Sequence, residues 1–210
     1  MKLANGTATY DVGDFKTIDL GTEGEIRFQV AAKNADALAS GSGNAAYTWV
    51  AMDLLNTSHR MNPSLSGTTE GTGTIGGWGK SEMRTYLNET IWPLLPSELR
   101  TVIKEVTKYS CIYDTSSTKA SDDTTTDKLW IPSVHEVFND TTYETQGPAY
   151  TGIFSNSTNR KQFKPGASSA SNWWERSANS TSKFRYVNGN GYDGDFSAGN
   201  SFGVLLGFCT

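Results

Sequence analysis

Lys183-Phe-Arg-Tyr-Val-Asn-Gly-Asn-Gly-Tyr-Asp-Gly-Asp-Phe196 is the stretch on which the reading of the fold turns. Asn188-Gly-Asn-Gly191 is a hairpin-turn signal, because Asn and Gly tolerate positive φ. It joins an extended run, Lys183 to Asn188, to a returning one, Tyr192 to Phe196. Upstream, Asn172-Trp-Trp-Glu-Arg-Ser177 opens the same β-rich tail; downstream, Phe202-Gly-Val-Leu-Leu-Gly-Phe208 reads as a buried closing strand. Between them, aromatics alternate with Asn, Ser, Gly and Asp. Tyr and Phe give large rigid contact area at low entropic cost, and the small polar residues supply adaptable hydrogen bonds, a mixture used by antibody paratopes. On residue types alone, an ordinary exposed hairpin and a ligand-contacting face fit equally well.

Further upstream, Tyr10 to Val30 alternates apolar and polar residues, the period of half-buried strands. Tyr47 to Leu55 reads as another strand or buried segment. Asn62 to Gly79 is a Gly/Thr/Ser-rich loop whose glycines lack the Lys-Ser/Thr ending of a phosphate-binding loop. Ser81 to Trp92 places Met83, Leu87 and Ile91 on one helical stripe, stopped by Pro93. A second short helix starts near Ser97, read as its N-cap, and buries Leu99, Val102 and Ile103. Glu105 to Tyr113 is extended, and Thr115 to Asp127 is a polar solvated loop in which Asp122 and Asp123 are the one calcium-binding alternative. Lys128 to Pro132 is a short apolar strand. Ser133-Val-His-Glu136 has capping-box spacing, which puts His135 at a helix start in a surface or packing role.

The chain has 210 residues, 36% hydrophobic, 11% aromatic and 19% charged, the composition of a loop-rich globular protein rather than a disordered one. Its net charge of -4 offers no basic field for nucleic acid. Arg160, Lys161 and Lys164 form a small basic cluster read as solvated loop decoration. No apolar run suits membrane insertion, and the first residues lack the apolar stretch of a signal peptide. Cys111 and Cys209 are too far apart in sequence, and too short of clustered His, to suggest a metal site. They are either two small buried hydrophobes or a disulfide. No catalytic Ser-His-Asp or Cys-His grouping is expected, and no cofactor.

An ordered set of motifs carries a resemblance. Gly77-Trp78 through Asn88, Leu95-Pro96, Leu129-Trp-Ile-Pro-Ser-Val-His-Glu136, Trp173-Trp-Glu-Arg-Ser177, Tyr186-Val-Asn-Gly-Asn-Gly191 and Gly203-Val-Leu-Leu-Gly-Phe208 follow one another as in the DUF6273 group of C-type-lectin-fold domains of bacterial and phage surface proteins. The tail also resembles the variable region of target proteins of diversity-generating retroelements. The resemblance implies an α+β, C-type-lectin-like fold: two short helices packed on small antiparallel sheets, loop-rich. It implies one domain over residues 1–210, with 1–9 flexible and 172–210 the candidate variable, ligand-binding region. Trp174, Arg176, Ser177 and the Gly-Val closing strand would be scaffold. The ligand-facing positions would be Lys183, Phe184, Arg185, Tyr186, Asn188, Asn190, Tyr192, Asp193, Asp195, Phe196, Asn200 and Phe202. Mutated Asn codons of such an element yield mostly Asn, Ser, Tyr, Asp and Phe, the types that dominate this set. The implied role is recognition of, or adhesion to, a protein or glycan on a target cell from a phage tail or bacterial surface. The calcium motifs of sugar-binding lectins are missing, and two isolated cysteines do not match the copper site of formylglycine-generating oxidases, so no enzyme is expected. The alternative is an oligomerisation domain of a phage fibre.

Overall fold

The computed structural model describes residues 9–63, 70–113 and 119–210. The flexible lead expected at 1–9 lies, except for Thr9, outside them. Strands β1 (Phe15–Asp19), β2 (Glu25–Lys33) and β3 (Tyr47–Ala51) form an antiparallel sheet that ends on β9 (Gly207–Cys209). The alternation read from the sequence sets its inner face, where Ile18, Ile26, Phe28 and Val30 are buried. β9 lies against β3 with Trp49 opposite Phe208. The closing strand is therefore shorter than expected. Val204 to Leu206 are buried, but their carbonyls go to separate partners, as when Leu55 N–H bonds the Val204 carbonyl and Ala51 N–H the Leu206 carbonyl.

The first helix, α1 (Glu82–Tyr86), is capped by the Ser81 hydroxyl and continues as a wider π turn over Leu87–Ile91. Met83, Leu87 and Ile91 are fully buried, as the stripe required. In α2 (Ser97–Arg100) the cap position belongs to Pro96, and Ser97, expected as N-cap, is the first helical residue. β4 (Val106–Tyr113) pairs with β5 (Lys119–Asp127), which corrects the expected loop. Composition hid this strand because it is held by backbone pairing and carries few apolar side chains. Its inward carboxylate, Asp127, takes bonds from Trp78 Nε1 (3.1 Å) and Arg84 Nε (2.6 Å). Asp122 sits in the same strand and accepts from Thr145 Oγ1 at 3.0 Å. The part of that loop at residues 115–118 lies outside the described residues. Lys128 to Pro132 makes one bridge, Trp130 to Gly207, rather than a strand. A Cβ on Gly207 would lie 2.4 Å from the Trp130 ring, so glycine is what lets the indole close over β9.

α3 (Val134–Phe138) has the full capping box, with Ser133 N–H donating to Glu136 Oε2 at 3.0 Å and Glu136 N–H to Ser133 Oγ at 3.3 Å. His135 is buried and its Nε2 meets the Gly147 carbonyl, a packing role. Cys111 and Cys209 are both buried and are not joined to each other as a disulfide. The third sheet, in the order β6 (Trp173–Ala178), β7 (Lys183–Val187), β8 (Asp193–Ser197), carries the tail. The result is mixed α+β, dominated by small antiparallel sheets with a few short helices.

Candidate functional site

Every residue of β6 is buried, so the hairpin of β7 and β8 stands on a fixed base. Trp173 pairs with Val187 and Trp174 with Tyr186. β8 is the open edge of the sheet, with Lys183 opposite Ser197, Phe184 opposite Phe196, Arg185 opposite Asp195 and Tyr186 opposite Gly194. The turn is pinned from two sides. Gly189 N–H donates to Asn172 Oδ1 (3.0 Å), and Arg160 Nε donates to the Gly191 carbonyl (3.0 Å) while its Nη1 reaches the Phe154 carbonyl (3.0 Å). Arg160 also lies over the Phe138 ring, 4.4 Å from its centroid. It is thus a strut between the loop and the hairpin, not loop decoration. Lys164 Nζ likewise bonds the Asn56 carbonyl at 2.7 Å.

Because side chains alternate along a strand, the twelve expected contact residues do not form one surface. One face is aromatic. Tyr186 lies 5.0 Å from Phe202 and 6.1 Å from Phe196, Phe196 lies 5.4 Å from Phe202, and Trp174 backs Phe202 at 4.6 Å, all as ring-centroid distances. The rings are tilted or edge-on to one another. Tyr186 fits because position 194 is glycine, where a Cβ would come within 2.7 Å of its ring. Phe196 is 44% exposed; Tyr186 and Phe202 are half-buried. Phe184 is fully buried in the core, which corrects its place among ligand-facing residues. Its partner Ala178 and the Trp174 side of β6 claim that position of the alternation.

The other face is charged. Lys183 Nζ bonds Asp195 Oδ1 at 2.8 Å, Arg185 pairs with Asp193, and Asn179 Nδ2 donates to Asp195 Oδ2 at 2.8 Å. Tyr143, unmarked by the sequence reading, adds its hydroxyl to Asn179 (2.8 Å) and its ring beneath Arg185 (5.0 Å). Asn188 is occupied in the turn, its Oδ1 accepting from Asn190 N–H at 2.8 Å. Asn190 and Asn200 are exposed, and Tyr192, at 60%, is the most exposed aromatic ring of the hairpin.

The sequence reading also missed the rim of the aromatic face. The backbone of His59 pairs with Phe202 in both directions and its carbonyl takes the Trp174 indole N–H at 3.0 Å. The His59 ring stacks on Tyr86 at 4.1 Å, and Arg60 Nη2 pairs with Glu82 Oε2 at 2.8 Å. Between 86 and 113 residues separate these positions from Asn172 at the start of the tail, which left no local signal.

A family model described as a domain of unknown function (DUF6273) matches residues 65–204, two thirds of the chain. No curated protein and no solved structure matches it.

Proposed function

We propose a ligand-binding role from one premise: the chain belongs to the DUF6273 family, and within it the family's matched segment carries the exposed aromatic face of β7 and β8. The observation that carries this reading is Phe196, an aromatic left 44% exposed while the rings around it are anchored by Trp174 and the buried β6. A rigid, partly exposed aromatic cluster loses little side-chain entropy on contact, the property that makes such residues anchors of recognition surfaces. Tyr186, Tyr192, Phe196 and Phe202 are the anchors; Asn190 and Asn200 supply adaptable polar contacts; Lys183, Arg185, Asp193 and Asp195 form a separate charged face. The fold that supports them is C-type-lectin-like, and the partner is a protein or glycan of a target cell met from a phage tail or bacterial surface. Diversification by a retroelement is part of this reading, supported by the residue types of the tail.

The domain should be tested against arrayed glycans and bacterial surface proteins, with Phe196→Ala and Tyr192→Ala beside the parent. Loss of at least about tenfold in affinity at unchanged thermal stability is expected, the size of one central aromatic anchor. Full binding by both variants would sink the assignment. Diversification predicts a reverse transcriptase near the gene and a second copy of the segment encoding the tail that differs at adenines. One observation favours a structural role instead: β8 is an open sheet edge. Sedimentation would decide, a monomer supporting ligand binding and an obligate trimer with Phe196 inaccessible supporting the fibre module.

A further inference from the structure

A separate cleft lies on the four-stranded sheet. The outward face of β2, Met52 just past β3 and the loop after α3 border an open cleft of about 340 Å³, at the small end of the range for ligand pockets. Its walls differ in chemistry. Met52, Ile153 and Phe163 give it an apolar side, while Gln29, Asn159 and Lys161 give it a polar one.

The charges there do not balance. Arg27 is held by Asp53 through two bonds, Nε to Oδ2 at 2.8 Å and Nη2 to Oδ1 at 2.5 Å. Lys161 has no carboxylate within ion-pair reach among the described residues, so in a chain of net charge -4 this cleft keeps one positive charge. Among the described residues nothing bonds the Gln29 side-chain amide, and Asn159 commits its Nδ2 to Ser155 Oγ at 3.1 Å and its backbone carbonyl to Gln162 Nε2 at 3.3 Å, leaving its side-chain Oδ1 open. An amide offers both donor and acceptor, as hydroxyl groups require.

We propose that this cleft is a ligand site for a small sugar acid, a hydroxylated ring bearing one carboxylate. Lys161 takes the carboxylate, with the outer edge of Arg27 beside it. Gln29 and Asn159 meet the ring hydroxyls, and Met52 and Phe163 lie against its C–H face. The size excludes a polymer segment lying within the cleft and exceeds what a bare inorganic anion fills. The site is separate from the aromatic face of the tail and does not depend on it.

D-glucuronate is the probe, titrated into the intact domain and followed by amide NMR shifts, with D-glucose, acetate and inorganic phosphate in parallel. Saturable shifts at Gln29, Asn159 and Lys161 are expected for glucuronate, with at least about tenfold weaker binding of the other three, the fold-change that loss of one charge-assisted contact gives. Lys161→Gln should weaken glucuronate about tenfold, and Gln29→Leu should weaken it while leaving acetate unchanged. Phe196→Ala should bind as the parent does, so failure here and failure of the tail reading are distinguishable. Equal response to phosphate, an unaffected Lys161→Gln variant, or no saturable shift would each overturn the proposal.

Discussion

Phe184 and Phe196 face each other across one strand pair and should behave in opposite ways. Phe184→Ala removes a fully buried ring and should cost about 3–5 kcal/mol in urea unfolding. Phe196→Ala should leave the unfolding midpoint within about 0.5 kcal/mol, as exposed substitutions do. Glu175 shows a residue-scale effect of pH. Its carboxyl is fully buried without a hydrogen-bond partner among the described residues, and burial, with the like charge of Glu144 adding and Arg185 partly offsetting, pushes it up to about 8. Between its unfolded value near 4.3 and about 8, the folded state holds the extra proton, so stability falls as pH rises through that window and levels off above it. Glu136 has the opposite sign. Although burial opposes it, Arg176 and Lys108 hold it at about 2, so its contribution is present above about 4.3 and is lost as the solution is acidified toward 2. A thermal-unfolding maximum near pH 5 is expected. Glu175→Gln should remove the alkaline decline and raise the midpoint at pH 8; an unchanged profile would count against a neutral buried carboxyl.

At the scale of elements, the hairpin tip is the sensitive point. Gly191 has φ +82° and a Cβ there would stand 1.8 Å from the Ser157 carbonyl oxygen, so backbone rather than a side-chain end would have to move. Gly191→Ala should cost about 2–3 kcal/mol and expose the amides of Gly189 to Tyr192 to hydrogen exchange ahead of β6. The turn itself was legible, since Asn-Gly-Asn-Gly states its geometry locally. So were the capping box and the stripe of Met83, Leu87 and Ile91, each set by spacing within one element. β5 was not: Asp122 to Asp127 became a strand through the backbone of β4, about 15 residues distant, and side-chain type carries little of that signal. The division of the tail into two faces was readable in principle from the alternation Lys183, Phe184, Arg185, Tyr186. Which face met the core depended on Trp174 and Ala178, and hence on a register broken by a bulge between them.

Across the whole molecule, a chain of buried charges joins elements that share no sheet. Asp36 accepts from Lys108 Nζ at 2.5 Å, Lys108 also reaches Glu136 Oε1 at 3.0 Å, and Arg176 clasps Glu136 with bonds of 2.5 and 2.9 Å. Tyr150 bridges the two carboxylates, and the Lys108 ammonium rests 3.5 Å from the Trp130 ring centroid. None of this was visible beforehand, because its members lie up to 140 residues apart, from Asp36 to Arg176. Lys108→Met leaves the buried Asp36 without a cation among the described residues, and Glu136 with Arg176 alone, and should cost about 3–5 kcal/mol by denaturant unfolding. Pairing it with Asp36→Asn should recover part of that loss; simple additivity would show that the two do not interact.

The position of β9 also sets a clock. Tyr47 and Thr210 exchange backbone bonds in both directions, and the Trp49 indole donates to Thr210 Oγ1. Of the three sheets, the one whose first strands are synthesised earliest is therefore completed only by β9 and Thr210, about 160 residues further along. Until then Trp49 and Val50 wait with one flank unpaired, a state open to proteases and chaperones. Such late closure of distant segments is slow. A nascent chain halted before Gly207 should remain protease-sensitive throughout β1 to β3, whereas one extended far enough to free Thr210 from the exit tunnel should become resistant.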